Sequence, residues 1–240
     1  MSDISSKLAQ LGRMTPSRVR LDASASPLPL SRLLAFQEDH AAAKDAIFET
    51  PDWDGLRREL RPLAQVSSRA RSRADYLKRP DLGRQLAPGT ELPLTEPDLA
   101  IVIADGLSPP AVTAHAAAVV RHLRALLPEL TEAPVCFAEQ ARVAIGDQIA
   151  ERLGAQMVLV LIGERPGLTV SHSLGAYLTW APRSGTRDSA RNCVSNIHTS
   201  GGLTPPRAAE RLAWLITEAR RLSTTGIGLK DRSGELTIVS

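Results

Sequence analysis

Short, wholly apolar runs alternate with helical periodicity over the second half of the chain. Leu99-Ala-Ile-Val-Ile103 is apolar at every position, rich in β-branched residues and bounded by turn formers. That pattern predicts a strand buried on both faces. Asp105-Gly-Leu-Ser-Pro-Pro110 reads as a loop, and Val112, Ala116, Val119, Val120, Leu123 and Leu127 then recur at helical spacing. Pro134-Val-Cys-Phe137 predicts a second strand and Ile145 to Leu153 a short helix. Met157-Val-Leu-Val-Leu-Ile162 is the clearest strand of the chain, and Ala176-Tyr-Leu-Thr-Trp180 predicts a fourth. Thr204-Pro-Pro opens a last long helix with Ala208, Leu212, Leu215, Ala219 and Leu222 turned inward. Proline suits a first helical turn because the N–H there has no partner. Strands separated by helices are the signature of a parallel sheet with helices packed on it. The expected fold class is therefore α/β, a Rossmann-like parallel sheet flanked by helices over residues 96–240, preceded by a mostly helical N-terminal region.

The first half of the chain is more polar. Ile4, Leu8 and Leu11 sit at helical spacing, so residues 1–20 read as a weak amphipathic helix or a floppy tail. Residues 22–30 (DASASPLPL) read as a linker, because Ser and Pro crowd out periodic structure. Residues 1–30 are thus expected to be a flexible tail and linker, and 31–95 a helical region. Ser31 is the expected N-cap of a helix whose inward face carries Leu33, Phe36, Ala43 and Ile47. A Pro-Asp-Trp-Asp turn and a basic helical stretch from about Leu56 to Asp75 follow, broken up beyond by Arg79-Pro80-Asp81 and Pro88-Gly89.

Charge sharpens this picture. Between Gly55 and Arg84 there are nine Lys/Arg and three Asp/Glu, while the whole chain is only +3, so the remainder is slightly acidic. The basic stretch reads as a solvated helical face or as a contact for an acidic partner. Nucleic acid is disfavoured, since no binding motif accompanies the charge. Aromatics are 3% of the chain, too few for a base-stacking surface. A 43% hydrophobic content supports a real core. The two cysteines, Cys136 and Cys193, form no CxxC pair and suggest neither a zinc site nor a disulfide framework. No apolar run approaches the length of a membrane span, and the N-terminus lacks the apolar stretch of a signal peptide.

Ligands of open parallel sheets bind at the carboxyl ends of the strands. Three rim segments qualify here: Asp105-Gly-Leu-Ser108, the stretch after the Val135 strand through Val143, and Gly163-Glu-Arg-Pro-Gly167. Gly163 and Gly167 admit backbone conformations that other residues resist and let a ligand approach. Glu164 and Arg165 place opposite charges on the rim, as a ligand contact or as a surface ion pair on a turn. Cys193-Val-Ser-Asn-Ile-His198 is the other concentration of polar groups. Cys193 and His198, with only His172 near in sequence, fall short of the four ligands of a structural zinc. There is no G-x-S-x-G elbow, no G-x-G-x-x-G after the first strand and no P-loop. The residues alone thus describe an α/β ligand-binding domain with rim loops and no visible catalytic constellation.

These segments carry a resemblance. Arg18-Val19-Arg20, Leu34-Ala-Phe-Gln-Glu-Asp-His40 with Lys44-Asp45, and Tyr76-Leu-x-Arg79-Pro80-Asp81-Leu-Gly83-Arg84 begin it. Asp105-Gly-Leu-Ser108, Arg142-Val-x-Ile-x-Asp147-Gln148-Ile149, Gly163-Glu-Arg-Pro-Gly-Leu168 and Cys193-x-Ser-Asn-Ile-His198 complete it. Over residues 15–228 the chain resembles the small-subunit family of ethanolamine ammonia-lyase, and several matches in the right order make the signal specific. The resemblance implies an adenosylcobalamin-dependent conversion of ethanolamine to acetaldehyde and ammonia. Cobalt–carbon homolysis there yields a 5′-deoxyadenosyl radical that abstracts a substrate hydrogen. It also implies a partner, a TIM-barrel large subunit that binds substrate within a large hetero-oligomer, while the small subunit closes over the cobalamin from the other side. Carried over position by position, the cofactor contacts are Val143, Glu164 and Cys193, with no catalytic residue and no metal ligand on this chain.

Asn196-x-His198-x-x-Gly201 is similar to the D-x-H-x-x-G motif of cobalamin domains that ligate cobalt through histidine. Asn replaces Asp, however, and the motif lies late in the fold. The lyase family keeps the cofactor's own benzimidazole on cobalt, so His198 is expected to be structural. The segments 182–193 and 201–206 differ slightly in length from the family pattern. The resemblance further implies a cytoplasmic protein, with enclosure in a bacterial microcompartment left open. The competing readings are a non-catalytic small-molecule-binding or regulatory domain without cobalamin, and an interaction protein that docks an acidic partner through its basic stretch.

Overall fold

Among the described residues, six strands form one sheet: β1 (Ala64–Ser67), β2 (Leu99–Ala104), β3 (Val135–Glu139), β4 (Met157–Gly163), β5 (Leu174–Trp180) and β6 (Arg191–Ile197). The spatial order is β1-β3-β2-β4-β5-β6. The structure, a computed structural model, describes residues 30–130 and 132–234 and positions 6, 7, 10, 11 and 14, with Arg32 described by its backbone alone. The helix or tail expected over 1–20 and the linker over 22–30 lie almost wholly outside those residues. β1, β3, β2 and β4 are mutually parallel, and β5 and β6 then add antiparallel. The mixed α/β class is as expected, with a mostly parallel sheet in place of a fully parallel one.

The two central strands are buried at every position, which is why their sequences read as unbroken apolar runs. Helices cover both faces. On one face, α2 (Trp53–Leu60), α4 (Ala117–Leu126) and α6 (Pro205–Leu222) share one buried apolar cluster with Leu99, Ile101 and Ile103 of β2 and with side chains of β3 to β6. α4 continues a helical turn at Pro109–Ala111 through a π-helical segment, Val112–Ala116. On the other face, α5 (Ile145–Leu153) packs Ile145, Ile149 and Leu153 against Val102, Val158 and Val160. α4 follows β2 and α5 follows β3, so the chain reverses its winding beside β2, as in doubly wound folds.

Several local expectations change. The basic stretch expected to be one helix over 56–75 contains α2, strand β1 and the start of α3 (Arg73–Lys78). Arg61 adopts a left-handed conformation and ends α2, and Pro62 cannot extend it. β1 then joins the sheet edge beside β3, so residues 64–67 supply a strand from the region expected to be helical. α2 itself starts where Asp52 accepts from the Gly55 N–H at 2.8 Å, and it buries Trp53, Leu56 and Leu60. Trp53 stacks on Phe137 of β3 with centroids 5.0 Å apart. α1 (Leu30–Phe48) places Ser31 inside its first turn instead of at a cap. Among the described side chains of α1 only Ala43 and Ala46 are buried, whereas Leu33 and Phe36 are exposed. Leu222, at the last turn of α6, is exposed too.

Candidate functional site

An open cavity of about 670 Å³ lies at the carboxyl ends of β2, β3 and β4. Val143, just after β3, Glu164, just after β4, and Cys193 on β6 all line it. The three expected cofactor contacts, spread over fifty residues of sequence, are thus gathered on one wall-to-wall surface. Leu107, from the loop after β2, shares that surface. The position matches the rule that doubly wound sheets open a crevice where the winding reverses.

Close backbone packing sets this edge. Gly106 adopts φ +61, and the Leu107 N–H donates to the Gly163 carbonyl at 2.8 Å. A Cβ on Gly163 would overlap the Ser108 carbonyl. Neither Gly163 nor Gly167 has positive φ, so the reason for glycine at 163 is the close approach of two chains and not an unusual backbone angle. Asp105 ties the next segment down: it accepts the N–H groups of Gly106, Gln140 and Ala141, each at 2.9 Å. Burial raises its carboxyl to about 6, against the pull of those bonds and of Arg73. The Asp105 loop therefore fixes the strand end from which Arg142 and Val143 enter the cavity.

Glu164 forms no ion pair with Arg165 among the described residues. Its Oε2 accepts from the Ser173 hydroxyl at 2.6 Å and from the Asn196 N–H at 3.2 Å. The carboxylate thus braces the loop between β4 and β5 while bordering the cavity. Cys193 pairs in register with Tyr177 of β5. Although the residue is exposed, protein around the sulfur raises the thiol, a hydrogen bond with Tyr177 opposes this, and Glu164 adds to the rise. Cys193 is therefore a neutral thiol at physiological pH and a poor nucleophile.

Some lining residues were not anticipated. Both tyrosines of the chain, Tyr76 and Tyr177, line the cavity, a placement that their rarity in the sequence hints at. Arg191 also borders it. Its guanidinium meets Asp147 with two contacts of 2.6 Å, and it also donates to the Thr179 hydroxyl at 2.9 Å and the Thr186 carbonyl at 3.0 Å. Both partners' side chains are at most 2% exposed, so this pair locks the start of β6 to the first turn of α5. Arg142, quoted above only for its place in a motif, projects its guanidinium over the Tyr76 ring at 4.3 Å.

His198 holds its own turn. Its Nδ1 accepts the Ser200 N–H at 3.2 Å, which leaves Nε2 to donate to the Asn196 side-chain oxygen at 2.8 Å. Among the described residues no group of three or more His, Cys, Asp or Glu is placed to hold a metal ion, and no helix is long and apolar enough to cross a membrane.

Fold and cavity together define an α/β domain with a cavity open at the carboxyl edge of a doubly wound sheet. The family model described as "Ethanolamine ammonia-lyase light chain (EutC)" matches residues 5–230. A Rhodopseudomonas palustris protein named "Ethanolamine ammonia-lyase small subunit" is 51% identical, over 94% of this chain and 90% of its own length. Proteins of the same name from Bradyrhizobium diazoefficiens and Rhodococcus erythropolis are 48% and 42% identical, over 94% and 93% of this chain and 90% and 89% of theirs. The chain belongs to the ethanolamine ammonia-lyase light chain family, and so to a family of lyase subunits.

Proposed function

We propose that this chain is the cofactor-holding small subunit of an adenosylcobalamin-dependent ethanolamine ammonia-lyase, and that a separate large subunit binds ethanolamine. The observation that carries the reading is the convergence of Val143, Glu164 and Cys193 on one cavity, in a chain of this family.

The residues present suit a corrinoid. Cavities of roughly 300–1,000 Å³ enclose drug-sized ligands, and a cobalamin is much larger. An open cavity of about 670 Å³ therefore fits one part of the molecule and leaves the rest to a second protein surface. The free lone pairs of Glu164 suit the N–H groups of peripheral carboxamides or a ribose hydroxyl. Cys193, as a neutral thiol, and Val143 offer compact, weakly polar contacts that tolerate an apolar macrocycle. Arg142 lines the cavity and has no carboxylate partner among the described residues, so its charge is open to a ligand.

When bound, adenosylcobalamin supplies the organic radical that starts the reaction. This chain's residues bind and orient it: Glu164 accepts, Val143 and Cys193 pack, and the Arg191–Asp147 pair keeps β6 in place. No general acid, base or nucleophile is assigned to them. The chain purified alone is therefore expected to show no ammonia-lyase activity with adenosylcobalamin, and co-expression with a large subunit is expected to restore it. Turnover by this chain and cofactor alone would end the accessory-subunit reading. An active large subunit that neither needs nor retains this chain would end it equally.

A further inference from the structure

Among the described residues no carboxylate pairs with Arg142. Its backbone N–H donates to the Gly83 carbonyl at 2.8 Å. Its side chain lies against the Tyr76 ring, which Arg73 also approaches, at 4.7 Å. A Cβ on Gly83 would press on both Tyr76 and the Arg142 side chain, so the stack is close-fitting. A guanidinium offers five N–H donors in a fixed fork. Arg142 makes one long contact, 3.5 Å from Nη2 to the Tyr76 carbonyl, and its Nε is buried with no acceptor.

The surroundings carry the same sign. Arg165 has no ion pair among the described residues. Arg142 and Arg165 border both the main cavity and an adjoining groove of about 450 Å³, where Lys44 of α1 joins them. Four arginines and two carboxylates, Glu164 and Asp188, line the main cavity. Asp188 faces Arg84 at 3.3 Å, and Glu164 accepts from Ser173 and Asn196. The N–H of Val143, a residue that lines the cavity, has no acceptor among the described residues, and Ala144 precedes α5 without a side-chain cap. A preformed guanidinium fork beside an unpaired backbone N–H is a receptor for a small oxyanion.

We infer that Arg142, supported by Arg165, binds the phosphodiester of a nucleotide-bearing ligand. The assignment rests on the cobalamin reading: the phosphodiester of the nucleotide loop is the anionic group of that cofactor, and its two unesterified oxygens match the planar fork. A neutral carboxamide would leave the guanidinium charge uncompensated.

The test measures corrinoid binding, not turnover, in the full chain co-purified with the large subunit. Equilibrium dialysis compares hydroxocobalamin with cobinamide, which keeps the amide-fringed ring but lacks the phosphodiester, ribose and base. Arg142→Met is expected to weaken cobalamin binding roughly ten- to a hundredfold, the range for losing a charge-assisted contact, and to leave cobinamide binding unchanged. Arg142→Lys, with the charge but not the fork, should fall between. Cobinamide phosphate, which regains the phosphate without the base, should regain sensitivity to Arg142→Met. Millimolar inorganic phosphate should compete with cobalamin in the wild type and not in Arg142→Met. An equal loss for cobalamin and cobinamide, or no loss for either, would overturn the assignment and leave the cobalamin reading intact. Phosphate that binds alongside cobalamin would overturn it too, making the corner a site for a free anion. A wild-type complex that binds neither corrinoid would remove the cobalamin reading and the assignment together.

Discussion

Replacing Asp147 with Asn is expected to destabilise this chain severely, because it strands a buried charge. Arg191 and Asp147 meet through two contacts of 2.6 Å with both side chains at most 2% exposed. Asn keeps the shape but removes the buried counter-charge, so the Arg191 guanidinium is left with Thr179, the Thr186 carbonyl and the solvent-exposed Asp188 carboxylate, 3.5 Å from its Nε. Removing one partner of a buried pair costs about 3–5 kcal/mol. For a chain of this length about 2–4 °C accompanies each kcal/mol, so the melting temperature should fall by about 6–20 °C. The assay is thermal unfolding followed by circular dichroism, in the isolated chain and in the complex. Pairing Asp147→Leu with Arg191→Met should recover part of the loss, since an apolar pair leaves no charge behind. A shift under about 1 kcal/mol for Asp147→Asn would refute the claim that this pair locks β6 to α5.

Four further outcomes are expected. Glu164→Ala should raise the cofactor dissociation constant about ten- to a hundredfold and, by freeing Ser173 and the Asn196 N–H, lower stability by about 1 kcal/mol; an unchanged constant in a cofactor titration would leave Glu164 as a loop brace only. Asp105 holds its proton up to about pH 6 in the folded chain against 3.8 ordinarily, so its contribution to stability falls as pH rises through that window, by about 3 kcal/mol at most, and denaturant titrations should show a flatter slope in Asp105→Asn. Gly163→Ala should cost about 1–3 kcal/mol through overlap with the Ser108 carbonyl, measurable as a lower denaturation midpoint; an unchanged midpoint would mean the two loops can separate freely. Reversing the exposed residues Arg58, Arg61 and Arg71 to Glu should weaken association with the large subunit, whereas Arg73→Glu should unfold the chain locally, because Arg73 donates to the Ile47 carbonyl at 2.6 Å and stacks on Tyr76; unchanged co-purification of the triple variant would leave the basic surface merely solvated.

The core of the fold is legible in the sequence because burial on both faces writes unbroken apolar runs at β2 and β4. The two edge strands are not. β1 has four residues and one buried side chain, Val66, inside a basic stretch. β6 buries Arg191, Val194 and Ile197, every third residue: a register shift against β5 between Leu174 and Ala176 puts Val194 and Ile197 in one core cluster, whereas Arg191 is buried on the opposite face against Asp147. Polar edge strands blunt pairing with other chains, and for the same reason they do not look like strands. The rim segments were found by the carboxyl-end rule and by resemblance, and the structure brings Val143, Glu164 and Cys193 to one cavity. The role of Arg191 is not legible in the sequence because its partner, Asp147, is 44 residues away. An unsatisfied guanidinium such as that of Arg142 has no sequence signature at all, since it is defined by what fails to surround it.

The central claim is that this chain supplies part of a cobalamin site. Its most direct test is equilibrium dialysis of hydroxocobalamin against the large subunit alone, this chain alone, and the two co-purified. The account predicts saturable binding by the complex that neither component reproduces at the same concentration, weakened by Glu164→Ala. Equal binding by the large subunit alone, unaffected by this chain or its Glu164→Ala variant, would contradict it.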